Sequence, residues 1–152
     1  MFNFSDNIVT LLAEFEGFRS KPYLDSVNIP TIGYGTIKYP DGKKVTMQDS
    51  EITKEQAKEY LLHHLREIVL PTFNKNIKVD QNQNQIDALG SLVYNIGASG
   101  FSLSTLLKRI NAKESIEKIK EAFLMWNKAS GKILPGLVKR REKEFQFYIK
   151  PV

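Results

Sequence analysis

The hydrophobic rhythm of this chain breaks at Gly17 and does not resume until Thr53. Before the break, Ile8, Leu11, Leu12 and Phe15 fall at the i, i+3, i+4, i+7 spacing of an amphipathic helix, with Ser5 or Asp6 to cap its start and Gly17 to stop it. From Gly17 to Val45 the chain places four of its nine glycines and three of its six prolines. Those residues interrupt helices, so the segment must be built from turns and short strands. "TIGYGTI" and "KKVT" read as strands, and "YPDGKK" as a hairpin turn, since Asp-Gly accepts the positive φ of a tight turn.

Helical spacing then dominates to the end. Thr53 and Gln56 form a capping box ahead of Ala57, Tyr60, Leu61, Leu65 and Ile68, and Pro71 is expected to close that helix. Asp80 and Gln83 repeat the device before "QIDALGSLVYNIG", which should end at Gly97. "SLSTLLKRIN" is a short helix with Ser102 as its candidate cap, "KESIEKIKEAFLMW" another, and "GLVKRREKEFQFYI" a last basic helix. The fold class is therefore α+β, one helix and a small antiparallel sheet followed by a helical bundle, in a single domain of 152 residues.

Composition narrows the function classes. There is no cysteine, which removes disulfides, thiolate zinc sites and thiol nucleophiles. The net charge of +5 favours anionic partners without choosing among nucleic acid, wall polymer and membrane. Residues 1–17 contain no basic leader, and Glu14 and Glu16 interrupt the apolar run, so neither a signal peptide nor a membrane anchor is expected there. His63 and His64 are adjacent on a helix and point to different sides, so no metal site is expected, and no cofactor motif is present.

Three residues around the break carry chemistry. Glu16 ends the first helix, where the helix dipole disfavours an ionised carboxylate, the property a general acid needs. Asp25 sits in the polar turn after "PYL", and two carboxylates in different surroundings are the minimum for cleaving a glycosidic bond. Thr31 opens "TIGYG", and its hydroxyl can hold a water by donating or accepting. Each has a plain structural alternative: a surface glutamate, an Asx turn, a β-branched strand residue. Tyr34 reads equally as a core aromatic or a sugar-stacking surface.

Together, "E-G-x7-D-x5-T-x-G-Y-G" is far more restrictive than its parts, and here the sequence resembles the phage-type lysozymes, the endolysin muramidases of glycoside hydrolase family 24. The resemblance extends through "NQIDALGSLVYNIGASGFSLSTLLKRIN" and "WNKASGKILPGLVKRREKE". It implies a lysozyme-like fold, with a small β-containing lobe at about 15–50, a helical lobe at about 53–152 joined by the first helix, and a cleft between them. It also implies Glu16, Asp25 and Thr31 as catalytic, and Tyr94, Asn95, Ser104 and Arg140 as substrate-binding. Tyr94 as core, Ser104 as helix cap and Arg140 as a solvated charge are the structural alternatives. Two positions depart from the family pattern. Asn28 replaces a glycine three residues after the aspartate, and Thr36 replaces a histidine after "TIGYG"; asparagine tolerates a left-handed turn, whereas the histidine's ion pair is lost.

The activity implied is hydrolysis of the β-1,4 bond between N-acetylmuramic acid and N-acetylglucosamine in peptidoglycan, with inversion. The partners implied are peptidoglycan and a holin that releases the enzyme from the host cytoplasm to the wall, with no nucleic acid. The enzyme is expected to be a monomer. Three rivals remain: a membrane-permeabilising action of the basic last helix, with weak anionic-membrane contact as its milder form, a non-catalytic peptidoglycan-binding protein, and a lytic transglycosylase.

Overall fold

The structure is a computed structural model that describes residues 1–152. It divides the chain into two compact units, residues 9–67 and residues 1–8 with 68–152.

Helix α1 spans Asp6–Glu16, with Ile8 and Leu12 fully buried on the predicted face. The Ser5 hydroxyl accepts the Asn7 amide proton at 3.2 Å and so caps the helix start. In the unit of residues 9–67, strands β1 (Arg19–Leu24) and β2 (Pro30–Gly33) pair antiparallel, with Tyr23 opposite Thr31 and an irregularity between Arg19 and Tyr23. "TIGYGTI" is thus only half strand: β2 ends at Gly33, and the Ile32 and Thr36 backbones exchange two 2.9 Å hydrogen bonds around the turn. Nor is "KKVT" a strand, since only an isolated bridge joins Lys38 and Lys44. The "YPDGKK" turn forms, closed by Tyr39 N–H to Lys43 O and Gly42 N–H to Tyr39 O, both 2.9 Å. Helix α2 (Lys54–His64) starts on the predicted Thr53–Gln56 capping box and packs on β2 through Ala57.

Pro71 does not end a helix. After α2 the chain makes a π-helical turn, Leu65–Val69, and continues as α3 (Leu70–Asn76), with Pro71 in the first turn, where a missing N–H costs nothing.

In the other unit, α4 (Gln83–Ile96) is capped by Asn82 with Gln85, a box two residues later than Asp80 with Gln83. It ends at Gly97 as expected. Gly90 lies mid-helix at a close approach: a Cβ there would stand 2.4 Å from Ile8 Cδ1 and 2.5 Å from Phe4 Cε1, so both side chains would have to shift. Helices α5 (Ala98–Ser102), α6 (Thr105–Asn111) and α7 (Ile116–Leu124) follow. Ser102 is the last residue of α5, and Ser104 is the residue that caps α6. A two-residue hairpin that the sequence reading did not foresee, β3 (Lys128–Ala129) and β4 (Lys132–Ile133), leads into α8 (Pro135–Ile149), which packs along α4. The chain is a mixed helical fold with two small antiparallel sheets, in agreement with the α+β expectation.

Candidate active site

The site in the unit of residues 9–67 is made by two chain reversals. The first follows α1: Gly17 takes φ +68 and donates its N–H to Ala13 O at 3.0 Å, which stops the helix with Glu16, half-buried, as its last residue. The second joins β1 to β2. Here the Asp25 carboxylate folds onto its own turn, with Oδ1 accepting from the amides of Val27 and Ile29, each at 2.9 Å. The backbone closes the same loop through Asp25 N–H to Ile29 O at 3.1 Å and Asn28 N–H to Asp25 O at 3.0 Å. Asp25 is thus an Asx-turn residue, as its structural alternative held, but the turn uses one carboxylate oxygen and leaves Oδ2 outside these bonds.

Thr31 is buried, and its hydroxyl donates to Ile29 O at 2.8 Å. With its proton committed, the hydroxyl oxygen faces other groups as an acceptor. Asn28 takes φ +62, so the left-handed turn survives the replacement of glycine. Thr36 is buried in the Ile32 turn, and Tyr34 is buried against Phe18 with ring centroids 5.6 Å apart, which makes Tyr34 a core residue.

Tyr23, across the ladder from Thr31, ties these parts together electrostatically. Its phenol is pushed above its ordinary value first by burial, then by the negative charge of Glu16, against Arg19, and by that of Asp25. The Arg19 guanidinium lies over the Tyr23 ring, 4.6 Å from its centroid. Both carboxylates therefore act on one phenol. The sequence reading passed over Tyr23 and Arg19 because strand aromatics and surface cations carry no local signature.

In the helical unit, Tyr94 is half-buried and Asn95 exposed on the last turn of α4. Ser104 is buried and acts as a cap: its hydroxyl donates to Phe101 O at 2.7 Å and accepts from Leu107 N at 3.0 Å. Arg140 is not a solvated charge. It is buried, with Nε 3.2 Å from Glu144 Oε2 and Nη2 donating to Ser91 O at 3.2 Å. Glu144, itself fully buried, also accepts from Ser91 Oγ at 2.6 Å and meets Arg141 Nε at 2.6 Å. No group of three His, Asp or Glu side chains is placed to hold a metal ion, and no helix is long and apolar enough to cross a membrane.

The family model described as "Phage lysozyme" matches residues 13–144. The chain is 40% identical over 149 residues to the endolysin of Salmonella phage P22, a match covering 98% of this chain and 99% of that protein. To the endolysin of Bacillus phage B103 it is 38% identical over 147 residues, 97% of this chain but 54% of that protein, so the chain spans about half the length of this relative. Among solved structures, the endolysin from Escherichia coli O157:H7 phage FAHEc1 aligns with a TM-score of 0.89 at 41% identity, over 99% of this chain and 96% of that one.

Proposed function

The chain belongs to the phage lysozyme family, and on that premise we propose that it is an endolysin, a glycoside hydrolase that cleaves the β-1,4 bond between N-acetylmuramic acid and N-acetylglucosamine in bacterial peptidoglycan. The whole chain serves as one catalytic domain. The observation that carries the assignment of roles is the division of labour in the β1–β2 turn, where Asp25 keeps Oδ2 available and Thr31 presents only lone pairs.

A water that donates one proton toward Asp25 Oδ2 and the other toward Thr31 Oγ1 has its own lone pair left for the anomeric carbon. Glu16 gives its proton to the glycosidic oxygen as that bond breaks. The water oxygen bonds to the anomeric carbon, and its proton passes to Asp25. Water attacking from the face opposite the leaving group inverts the anomeric centre, a course that needs the two carboxylates roughly 6.5–9.5 Å apart. Tyr94 and Asn95, at the end of α4, supply sugar contacts. Ser104 and Arg140 take supporting roles, since one caps α6 and the other is bonded to Glu144 and Ser91.

The enzyme works as a monomer, is made in the host cytoplasm and reaches the wall through a holin, with at most weak contact with anionic membrane. Clearing of purified peptidoglycan by the wild type and by Glu16→Gln, with mass spectrometry of the released sugars, tests the reading. Reducing-end muramic acid from the wild type and loss of clearing in the variant support it. A 1,6-anhydro product would overturn hydrolysis in favour of a lytic transglycosylase, and equal clearing by both proteins would remove Glu16 from the mechanism.

A further inference from the structure

We propose that Asn28 is a positioning residue for the reaction, because its left-handed backbone turns Ile29 so that one residue's main chain holds both Asp25 and Thr31. The inference rests on the roles given above to those two side chains. Ile29 N–H donates to Asp25 Oδ1 at 2.9 Å, and Ile29 C=O accepts both from the Thr31 hydroxyl at 2.8 Å and from Asp25 N–H at 3.1 Å. The orientation of the Ile29 amide is set by the backbone angles of the preceding residue, and that residue has φ +62.

Apart from the hydrogen bonds to Asp25, no side-chain packing fixes the loop tip. Val27, Asn28 and Ile29 are exposed, so no core packing steers them, and Val27 presents 64% of its surface to solvent. The Asn28 side chain makes no hydrogen bond. Its contribution is the positive φ alone, which asparagine and glycine reach easily, alanine reluctantly and a β-branched residue hardly at all. A residue that forces φ negative swings the Ile29 amide away from Asp25 and its carbonyl away from Thr31. The carboxylate and the hydroxyl then lose their shared reference, and a misplacement of about 1 Å in a reacting group costs on the order of 100-fold.

The test compares the wild type with Asn28→Gly, Asn28→Ala, Asn28→Val and Asp25→Asn in the full chain. It uses isolated peptidoglycan fragments and measures kcat, KM and amide hydrogen exchange. Asn28→Gly is expected to keep kcat within about twofold, while Asn28→Val loses roughly 10- to 100-fold in kcat with KM little changed. Asn28→Ala should fall between them. Faster exchange at the Val27 and Ile29 amides should follow the same order. A general structural role would instead lower the melting temperature in step with activity and spread faster exchange across the unit. Wild-type kcat in Asn28→Val, or equal losses in Asn28→Gly and Asn28→Val, would overturn the proposal while leaving the catalytic assignment intact. Full activity in Asp25→Asn would sink the assignment itself, and the positioning role with it.

Discussion

The two units differ in where they keep their charge and what they do with it. Residues 9–67 carry 8 Lys and Arg against 9 Asp and Glu, whereas residues 1–8 with 68–152 carry 14 against 8, so the positive charge of the chain lies wholly in the helical unit. In the first unit Asp25 and Asp41 are held at chain reversals by main-chain amides, Asp25 by those of Val27 and Ile29 and Asp41 by that of Lys43. In the second, the buried Glu144 is met by the side chains of Ser91, Arg140 and Arg141, and the buried Asp87 by the amide and hydroxyl of Ser5 and the side chain of Gln83. Asp25, held by main chain at a half-exposed turn, keeps Oδ2 outside those bonds, and it is this oxygen that the proposed mechanism uses. A carboxylate enclosed by cations and hydroxyls is committed to stability.

Substitutions can break that division. Glu16→Gln should lower turnover on peptidoglycan by about 10²–10⁴-fold, the usual worth of a general acid, with an unchanged melting temperature. A large drop in melting temperature would make Glu16 structural. Glu144→Ala leaves two buried guanidinium groups without their carboxylate and should cost roughly 3–5 kcal/mol, a fall of about 10 °C by calorimetry. Where the variant is still folded, its activity should be near normal. If it is inactive there, the helical unit takes part in the chemistry.

Alkaline pH provides a gentler probe. Burial pushes the Tyr148 phenol, whose hydroxyl donates to Gln81 Oε1 at 2.9 Å, up to about 12. Its folded value lies above the unfolded one near 10, so its contribution is complete below pH 10 and is lost as pH rises toward 12. Urea titrations at pH 9 and 11 should show a decline about 1 kcal/mol shallower in Tyr148→Phe than in the wild type. Equal declines would mean the phenol ionises as easily folded as unfolded. The smallest effect expected is electrostatic. Reversing the exposed Lys128, Lys132 and Lys139 to glutamate should slow action on whole walls a few-fold at low salt, leave cleavage of small soluble peptidoglycan fragments nearly unchanged, and have no effect at high salt. A loss that persists at high salt would show that these lysines do more than attract.

Much of this was legible in the sequence where one short-range rule acts alone. Ile8 and Leu12 gave the buried face of α1, Gly17 its stop, and Thr53 with Gln56 the start of α2. The reading failed where two local patterns competed or distant groups decided. Asp80–Gln83 and Asn82–Gln85 are both capping boxes. The second forms because Gln83 is drawn to Asn3 O and Asp87, and Asn84 to the carbonyls of Lys150 and Pro151. Four residues, Lys128–Ala129 and Lys132–Ile133, are too short a pattern to announce a hairpin. In the candidate site the spacing of Glu16, Asp25 and Thr31 singled out the side chains, but the role of Ile29 could not be read, because every residue carries the same N–H and C=O. The solvated-charge alternative for Arg140 fails for a related reason: Glu144 is its i+4 neighbour on α8, but Ser91 reaches it only by packing α4 on α8.

The grip of Asp87 on Ser5 has a consequence for how the chain is made. Asp87 takes both the amide and the hydroxyl of Ser5, the residue that caps α1, across 82 positions of sequence. A ribosome adding 5–20 residues per second reaches Asp87 about 4–16 s after Ser5. During that interval α1 has its amphipathic face but lacks its anchor, and the helix that ends in Glu16 stays an unmoored nascent segment. Completion of α4 is therefore the event that fixes its start, so synthesis paused before Asp87 should expose the first helix to proteases, and synthesis past it should close that window.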